Sequence, residues 1–389
     1  MVLLAPGSAA ELAERARAGL RDTFGSEAAV VGRAPGRVNL IGEHTDYNGG
    51  LVLPVALPHA TYAAAAPRSD GVVRLASAQE PDPFTGIVDH LGPGEARGWS
   101  AYAGGVLWAL REAGHDLPGL DLYVDSSVPL GAGLSSSAAI ECAVAMAAVG
   151  ILGLDLDDPL RAGLVAACIR AETEVADAPT GGMDQTVAIH GQAGTALLID
   201  FGVGTHEPVA LALRDRTILV TDTRVKHALT DGGYGARRAD CEKAAAALGV
   251  RTLRDATLEA VEALTDDVVR RRARHIVTEI ARVRPAVDAL GAADWPALGE
   301  LFAASHASMR DDFEISTPEL DLAVSTAVAS GADAARMTGG GFGGSIVAVL
   351  PTAAVDDVVR AIDHAFSAAG YRSPGHLLVE PSAGASLVG

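Results

Sequence analysis

Two carboxylates near the middle of the chain have the types and spacing for metal-assisted transfer chemistry. Glu172 and Asp184 lie on either side of a turn sequence that contains Pro179 and two glycines. One carboxylate can supply a hard oxygen ligand for Mg²⁺, and the other can accept a substrate proton or orient a hydroxyl. The alternative is a helix face followed by a turn aspartate, which is the interpretation we prefer for Glu174 and Asp177.

A glycine- and serine-rich loop precedes an alanine-rich predicted helix. It reads Pro129-Leu-Gly-Ala-Gly-Leu-Ser-Ser-Ser-Ala138. Its glycines let backbone N–H groups approach an anion, and the helix start adds unpaired N–H groups and the positive end of a dipole. Serine also caps helices, so anion binding and simple capping both stay open on these residues alone. The loop is neither a P-loop, since no lysine follows the glycines, nor a dinucleotide fingerprint.

Two further loops are suited to ligand binding. Glu43, His44 and Asp46 crowd one turn after Arg37, and such a density of donors and acceptors suits a polyhydroxylated ligand. A solvated polar turn is the alternative. No second histidine stands at ligand spacing, which argues against a zinc site. The loop 338–345 contains five glycines, which close approach of its backbone to a ligand or to another segment would explain.

Composition narrows the partners to small molecules. The chain of 389 residues has 49 acidic and 30 basic side chains and a net charge of −19, which repels nucleic acid and anionic membranes. Only Lys226 and Lys243 are lysines, so a phosphate site must rely on other groups.

Three cysteines without CxxC spacing indicate a reducing compartment. Residues 1–20 lack a signal-peptide pattern, and the apolar run 138–152 contains Glu141, so we expect a cytoplasmic protein.

Hydrophobic periodicity predicts helices and strands in mixed order. The predicted helices cover 8–24, 99–114, 137–151, 159–176, 319–330, 353–369 and most of 232–304. The predicted strands cover 28–41, 51–66, 72–78, 120–126, 186–190, 195–200, 217–222, 333–338, 345–350 and 375–380. Because strands and helices do not alternate strictly, an α+β fold is favoured over a doubly wound parallel sheet. A break near 205–215 predicts an N-terminal domain over 1–205 and a C-terminal domain over 206–389.

Several segments resemble one known family. Residues Pro35–Gly50 resemble the signature of the galactokinases, and Pro129–Ala138 and Thr338–Ser345 resemble the second and third motifs of the wider GHMP kinases. That superfamily is named for galactokinase and the homoserine, mevalonate and phosphomevalonate kinases. Further matches are Gly181–Gln185 and 305–321, and all of them run in family order from about residue 20 to the C-terminus.

The resemblance implies an α+β fold of two GHMP kinase domains, with the active site between them. It also implies ATP-dependent phosphorylation of α-D-galactose at its anomeric hydroxyl, giving galactose 1-phosphate and ADP, the first committed step of the Leloir pathway. ATP and Mg²⁺ would be the cofactors, galactose and ATP the substrates, and the enzyme a monomer. Two alternatives stay open: a related kinase acting on N-acetylgalactosamine or arabinose, and a non-catalytic sugar sensor. The sensor is disfavoured because Arg37, Asp184 and the whole of 134–138 are present.

The resemblance also assigns roles residue by residue. Asp184 matches the catalytic base and Arg37 the group that stabilises the transition state. The matches to sugar contacts are Glu43, His44, Thr45, Asp46, Gly181 and Tyr234. Ser137 and Glu172 match the Mg²⁺ ligands. The phosphate loop comprises Gly131, Ala132, Gly133, Leu134, Ser135, Ser136 and Ser137, and the adenine region includes Ser77, Trp99 and Tyr102. The chain departs from many members at Val175, Asp177 and Thr180, where Phe, Gly and Cys are common.

The base assignment yields a first prediction. Asp184→Asn keeps the shape of the side chain but removes its proton-accepting carboxylate. We expect sugar binding to survive and turnover to fall by about 10²-fold or more, in the range of general-base effects. Steady-state turnover and sugar binding of both proteins test this, and near-normal turnover of the variant would leave Asp184 only an orienting role.

Overall fold

The computed structural model describes residues 3–225 and 233–389. Lys226 and residue 232, where the predicted helical stretch begins, lie outside these ranges. The helices are α1 Ala9–Phe24, α2 Trp99–Glu112, α3 Ser136–Leu152, α4 Asp158–Arg170, α5 Met183–His190, α6 Gly233–Leu248, α7 Leu258–Glu262, α8 Asp267–Ala292, α9 Trp295–Asp311, α10 Pro318–Ala329 and α11 Val355–Ala369. The strands are β1 Val30–Asn39, β2 Leu51–Val52, β3 Pro54–Arg68, β4 Val72–Ser77, β5 Phe84–Ile87, β6 Gly119–Ser126, β7 Thr195–Asp200, β8 Thr205–Ala210, β9 Arg216–Asp222, β10 Ala334–Thr338, β11 Ser345–Pro351, β12 Gly375–Val379 and β13 Ser386–Leu387.

The first sheet has the strand order β13-β1-β3-β6-β4-β5 and lies between two helical layers. Successive side chains of a strand point to opposite faces, and in β3 the residues Tyr62 and Ala64 pack with α1 while Ala63 and Ala65 pack with α2 and α3. Small side chains on this strand let helices lie close on both faces. Gly32 of β1 serves the same purpose, because a Cβ there would lie 2.2 Å from the Ala143 oxygen of α3.

The second sheet is antiparallel, with the order β10-β11-β9-β12, and β2, β7 and β8 form a small third sheet. Helix α11 buries Val355, Val358, Val359, Ile362 and Phe366 at helical spacing, in one cluster with the second sheet. A separate cluster joins apolar residues of β1 and β3 to residues of β9, β11 and α8. The two halves of the sequence therefore share one continuous piece of core.

The α+β prediction is confirmed, but the strand predicted at 186–190 is wrong. Those residues belong to α5, which follows Gly182 and buries Met183 and Val187 one turn apart. A short apolar run fits a strand or a buried helix equally well by periodicity. The correction matters because it places Asp184 in the first turn of a helix.

Two other differences have plain causes. The helix predicted over 159–176 is α4 followed by a π-helical turn, Ala171–Val175, which carries Glu172. The unpredicted strands β5, β8 and β13 are short and largely exposed, so they have no hydrophobic alternation to detect.

The predicted boundary at 205/206 falls at the start of β8, which pairs with β7 from the preceding segment. The C-terminal strand β13 pairs with β1, Gly32 lying opposite Leu387. The division into two domains stays a prediction, with β8 and β13 linking the halves. Within the described ranges, no helix has both the length and the apolar character to cross a bilayer.

Candidate active site

The start of α3 leaves backbone N–H groups open toward the glycine- and serine-rich loop. Ser135 occupies the N-cap position with a left-handed φ of 59°, and its side chain does not cap the helix. Instead the Ser135 hydroxyl donates to Asp184 Oδ2 at 2.5 Å. The first N–H groups of α3 therefore lack a side-chain acceptor, and they lie at the positive end of the helix dipole. This arrangement suits an anion such as a phosphate group.

A two-point ion pair lies beside this helix end. Arg37 donates from Nε to Asp184 Oδ1 at 2.8 Å and from Nη2 to Asp184 Oδ2 at 3.0 Å. Its third nitrogen, Nη1, donates to the Gly133 oxygen at 2.6 Å, and its backbone N–H donates to the Leu134 oxygen at 3.1 Å. Bidentate arginine–carboxylate pairs are strong and directional. Arg37 thus joins β1, the loop and α5 at one point.

Carboxyl groups crowd the other side of the helix start. The Gln185 amide donates to Glu172 Oε2 at 2.5 Å and to Glu141 Oε2 at 3.0 Å. Burial, followed by the charge of Asp184, raises the pKa of Glu172 to about 7, against the opposing effect of a hydrogen bond with Ser137. Burial and the nearby Glu172 also raise the pKa of Glu141 well above its usual value. A cation would stabilise the ionised form of this cluster.

Asp46 faces the same space from the polar turn. Gly181 makes room for it, since a Cβ at that position would lie 2.1 Å from Asp46 Oδ2. Burial, followed by the charge of Asp184, raises the pKa of Asp46 to about 6. Burial raises the pKa of Tyr234 as well, and the charges of Asp46 and Asp184 add to that effect. Asp46, Gly181, Asp184 and Tyr234 therefore line one region next to the open end of α3.

The other three turn residues bind protein atoms. Glu43 Oε1 accepts from the Gly339 N–H at 3.0 Å, and its Oε2 pairs with Arg336. The two ring nitrogens of His44 lie 2.9 Å from the Tyr47 hydroxyl and 3.1 Å from the Gly340 oxygen. Thr45 Oγ1 lies 2.9 Å from the Gly42 oxygen and 2.6 Å from the oxygen of Leu51 in β2, and its hydroxyl donates to these main-chain oxygens. These side chains shape the turn that presents Asp46.

The predicted adenine region lies at the ends of β4 and α2. Ser77 Oγ accepts from the Gln79 N–H at 3.1 Å, and Trp99 Nε1 donates to the Asp82 oxygen at 3.1 Å. Neither hydrogen bond has a partner in the phosphate loop. Tyr102, almost one turn further along α2, has its pKa raised to about 12 by burial and then by the charges of Glu172 and Glu141. Tyr102 is thus the residue of this group that the structure associates with the carboxyl cluster.

The loop 338–345, called the third glycine-rich loop from here on, packs against the phosphate loop. A Cβ on Gly339 would lie 2.9 Å from the Gly133 oxygen, and a Cβ on Gly344 would lie 3.1 Å from the Ala132 oxygen. Ser345 donates its hydroxyl to the same Ala132 oxygen at 2.7 Å. The glycines therefore allow backbone to pack on backbone, which was one of the two explanations predicted for them.

Sequence reasoning missed four residues of the site: Glu141, Gln185, Glu279 and Arg336. A signal existed for two of them. Glu141 lies in an otherwise apolar helix and Arg336 in a short buried strand, and charged side chains are fully buried only when they are paired. Gln185 ends the family-matching segment Gly181–Gln185 but was given no role, and nothing local marks Glu279, whose role comes from partners distant in the sequence.

Three family models match the chain along its length. The galactokinase galactose-binding signature matches residues 20–67, the GHMP kinases N terminal domain matches 101–192, and the GHMP kinases C terminal model matches 286–368. The first match covers Arg37 and the polar turn. The second covers the α3 loop, Glu172 and Asp184, and the third covers the last glycine-rich loop.

Similar proteins cover nearly the whole chain. A galactokinase of Streptomyces coelicolor is 51% identical over 94% of this chain and 96% of its own length. The human galactokinase is 43% identical over 93% of this chain and 94% of its own length. The crystal structure of Lactococcus lactis galactokinase complexed with galactose matches with a TM-score of 0.90 at 31% identity, covering 97% of this chain and 99% of that one. Each similarity extends across both halves of the sequence.

Proposed function

This chain belongs to the galactokinase family of the GHMP kinases, and we propose that it uses ATP to phosphorylate α-D-galactose at the anomeric hydroxyl. The products are galactose 1-phosphate and ADP. One observation carries the proposal: the Arg37–Asp184 pair is bonded through Ser135 to the uncapped start of α3, and the charge of Asp184 acts on Asp46 and Tyr234 on the other side. A phosphate donor and a sugar acceptor bound on these two sides would meet at that pair.

Arg37 and Asp184 act on the reacting atoms in this proposal. Phosphoryl transfer depends on positioning and on neutralising charge more than on covalent help from the protein. The Arg37 guanidinium supplies fixed positive charge where this chain offers few lysines. Asp184 accepts a hydrogen bond from the sugar hydroxyl, and it either takes the proton or orients the hydroxyl for attack. Ser135 and Arg37 hold its carboxylate in place for either role.

Backbone N–H groups of 131–137 cradle the ATP phosphates. The left-handed backbone at Gly131 and Gly133, with φ of 73° and 71°, turns the loop into the start of α3. Ser77, Trp99 and Tyr102 form the adenine side of the site. Burial and then the charges of Glu172 and Glu141 raise the pKa of Tyr102, so its hydroxyl is within electrostatic reach of the carboxyl cluster.

The galactose side is built around Asp46. The Asp46 carboxylate accepts hydrogen bonds from sugar hydroxyls, and the Gly181 N–H donates one to the sugar. Tyr234 lines the same region. Glu43, His44 and Thr45 support this surface from the turn, where their side chains hold the main chain in shape. A kinase for N-acetylgalactosamine or arabinose would use the same architecture, so the choice of sugar needs a direct test.

The donor set near Glu172 fits Mg²⁺. Ser137 Oγ and the Glu172 carboxylate are hard oxygen ligands, and the crowded carboxyl groups around Glu172 favour a nearby cation. Within residues 3–225 and 233–389, no group of three or more His, Cys, Asp or Glu side chains is arranged to hold a metal ion. This agrees with an ion held by one or two protein oxygens together with substrate phosphates and water. When bound, Mg²⁺ supplies positive charge to the phosphate oxygens.

Two further expectations belong to the proposal. We infer that the protein is cytoplasmic and monomeric, and light scattering of the purified protein tests its oligomeric state.

The chain departs from many family members at Asp177, which is exposed and has a left-handed φ of 53°. Glycine adopts this conformation without strain, so the aspartate here is a surface change and not part of the metal site.

Substrate choice is tested by measuring ADP release with MgATP and a panel of acceptors. The panel comprises galactose, N-acetylgalactosamine, glucose, arabinose and mevalonate, and Asp184→Asn serves as the control for chemistry at this site. We expect galactose to give the highest kcat/KM and NMR of the product to show phosphate on the anomeric oxygen. Preference for another sugar would contradict the substrate assignment, and binding of galactose and ATP without turnover would support the sensor.

The raised pKa of Asp46 predicts a pH dependence for galactose binding. Because its pKa is about 6, the carboxylate is ionised above that pH and becomes protonated below it. One pH unit below the pKa, roughly a tenth of the carboxylate remains, so the galactose KM rises by about tenfold. Kinetics from pH 5 to 8 measure this. Asp46→Asn is the matched control and should bind weakly with a flat profile; an equal slope in that variant would assign the titration to another group.

A further inference from the structure

We propose that Arg336, held by Glu279, is a positioning residue that fixes the sugar-binding turn against the third glycine-rich loop. The inference rests on the proposed function and adds a requirement for galactose affinity. Arg336 lies on β10, two residues before the loop 338–345, and its side chain is completely buried. Within residues 3–225 and 233–389, no hydrogen bond joins Arg336 to the phosphate loop or to the Arg37–Asp184 pair.

Arg336 reaches the turn through two different groups. Nη1 donates to the Leu40 oxygen at 2.7 Å, where β1 leads into the turn, and Nη2 pairs with Glu43 Oε2. The other oxygen of Glu43 accepts from the Gly339 N–H at 3.0 Å. One guanidinium therefore links β10, the entrance of the turn and, through Glu43, the first residue of the glycine-rich run. Only a planar group with several donors can serve these acceptors together.

Glu279 of α8 completes the arrangement. Its Oε1 lies 3.4 Å from Arg336 Nη2 and accepts from the Gly42 N–H at 3.0 Å and from the Ser305 hydroxyl at 2.7 Å. Its Oε2 accepts from Arg282 at 2.9 Å. Burial raises the pKa of Glu279, but the charge of Arg336 and then those of His275 and Arg282 outweigh burial and lower the pKa to about 2. Glu279 is thus a buried anion that binds both Arg336 and the turn.

The hydrogen bonds of Arg336 go to the sugar side, and its link to the phosphate loop is indirect, through Glu43 and the Gly339 backbone that packs on the Gly133 oxygen. The phosphate loop is attached to the third loop by Ser345 and to β1 by Arg37, and Arg336 takes part in neither attachment. Loosening Arg336 should therefore displace Glu43 and the turn that presents Asp46 while the phosphate loop keeps its own supports. The expected signature is weaker galactose binding with ATP binding nearly unchanged.

The test compares Arg336→Lys with wild type. Lysine keeps the positive charge, but its single ammonium group cannot replace the several N–H donors that arginine holds in one plane. We expect the galactose Kd, measured by calorimetry without ATP, and the galactose KM to rise by about tenfold or more, which is the effect of losing one charge-assisted hydrogen bond. The KM for ATP should stay within about twofold, since the hydrogen bonds that Ser345 and Arg37 make to the phosphate loop do not involve Arg336.

Arg216→Lys is the matched control. Arg216 pairs with Asp333 at 2.8 Å, at the opposite end of β10, so this variant loosens an arginine–carboxylate pair of the same sheet away from the turn. Its galactose Kd should match wild type. A similar rise in this control, or a rise in the ATP KM of Arg336→Lys equal to that for galactose, would overturn the positioning role. So would a lower melting temperature of Arg336→Lys with an unchanged galactose Kd.

A second variant keeps the test decisive if Arg336→Lys does not fold. Glu279→Gln retains an oxygen for the Gly42 N–H and the Ser305 hydroxyl but loses the charge that faces Arg336, and the same selective rise in galactose Kd is expected. An unchanged Kd in this variant would refute the proposal. Wild-type turnover with galactose is measured first: its absence refutes the proposed function, whereas its presence with unaltered variants refutes only the role of Arg336.

Discussion

The pair between Arg37 and Asp184 is the interaction on which the rest of the site depends. Arg37 is buried, and taking a charge out of water is costly unless its partner and its remaining donors are well placed. Here the carboxylate binds two of its nitrogens and the Gly133 oxygen binds the third. Asp184 is only partly buried, yet its removal would leave the buried Arg37 charge without its partner, which is strongly destabilising. The strand, the loop and the helix that supply these partners must therefore be assembled correctly before the site can exist.

Close approach of backbone makes that assembly possible. Gly32 brings α3 onto β1, and Gly339 and Gly344 bring the third loop onto the phosphate loop. Each of these positions would place a Cβ within 3.1 Å of a main-chain oxygen. The start of α3 also has an unusual local structure, because the Ser135 side chain binds Asp184 and does not cap the helix. Serine usually caps a helix, but here the first N–H groups of α3 stay without a side-chain acceptor, which is the arrangement that our proposal for phosphate binding requires.

The sequence predicted the fold class and most elements because long amphipathic helices and buried strands carry strong periodicity. It failed at α5, where a short apolar run fits two structures, and at the π-helical turn that carries Glu172. Motif resemblance brought together Arg37, Asp184, Asp46 and the phosphate loop as predicted site residues. It could not tell which protein groups Glu43 and His44 contact, since partners such as Arg336 and Gly340 lie far along the chain, and the contacts of Glu43 and His44 with sugar stay a prediction.

The most direct test of the central claim is a double-mutant cycle on kcat/KM for galactose, using Arg37→Met, Asp184→Asn and the double variant. If the two side chains act as one unit, each single variant already removes the charged pair, and the double variant is at most about tenfold worse than the poorer single one. If the two losses multiply, Arg37 and Asp184 act independently, and the account of a single charged pair at the centre of the site is wrong.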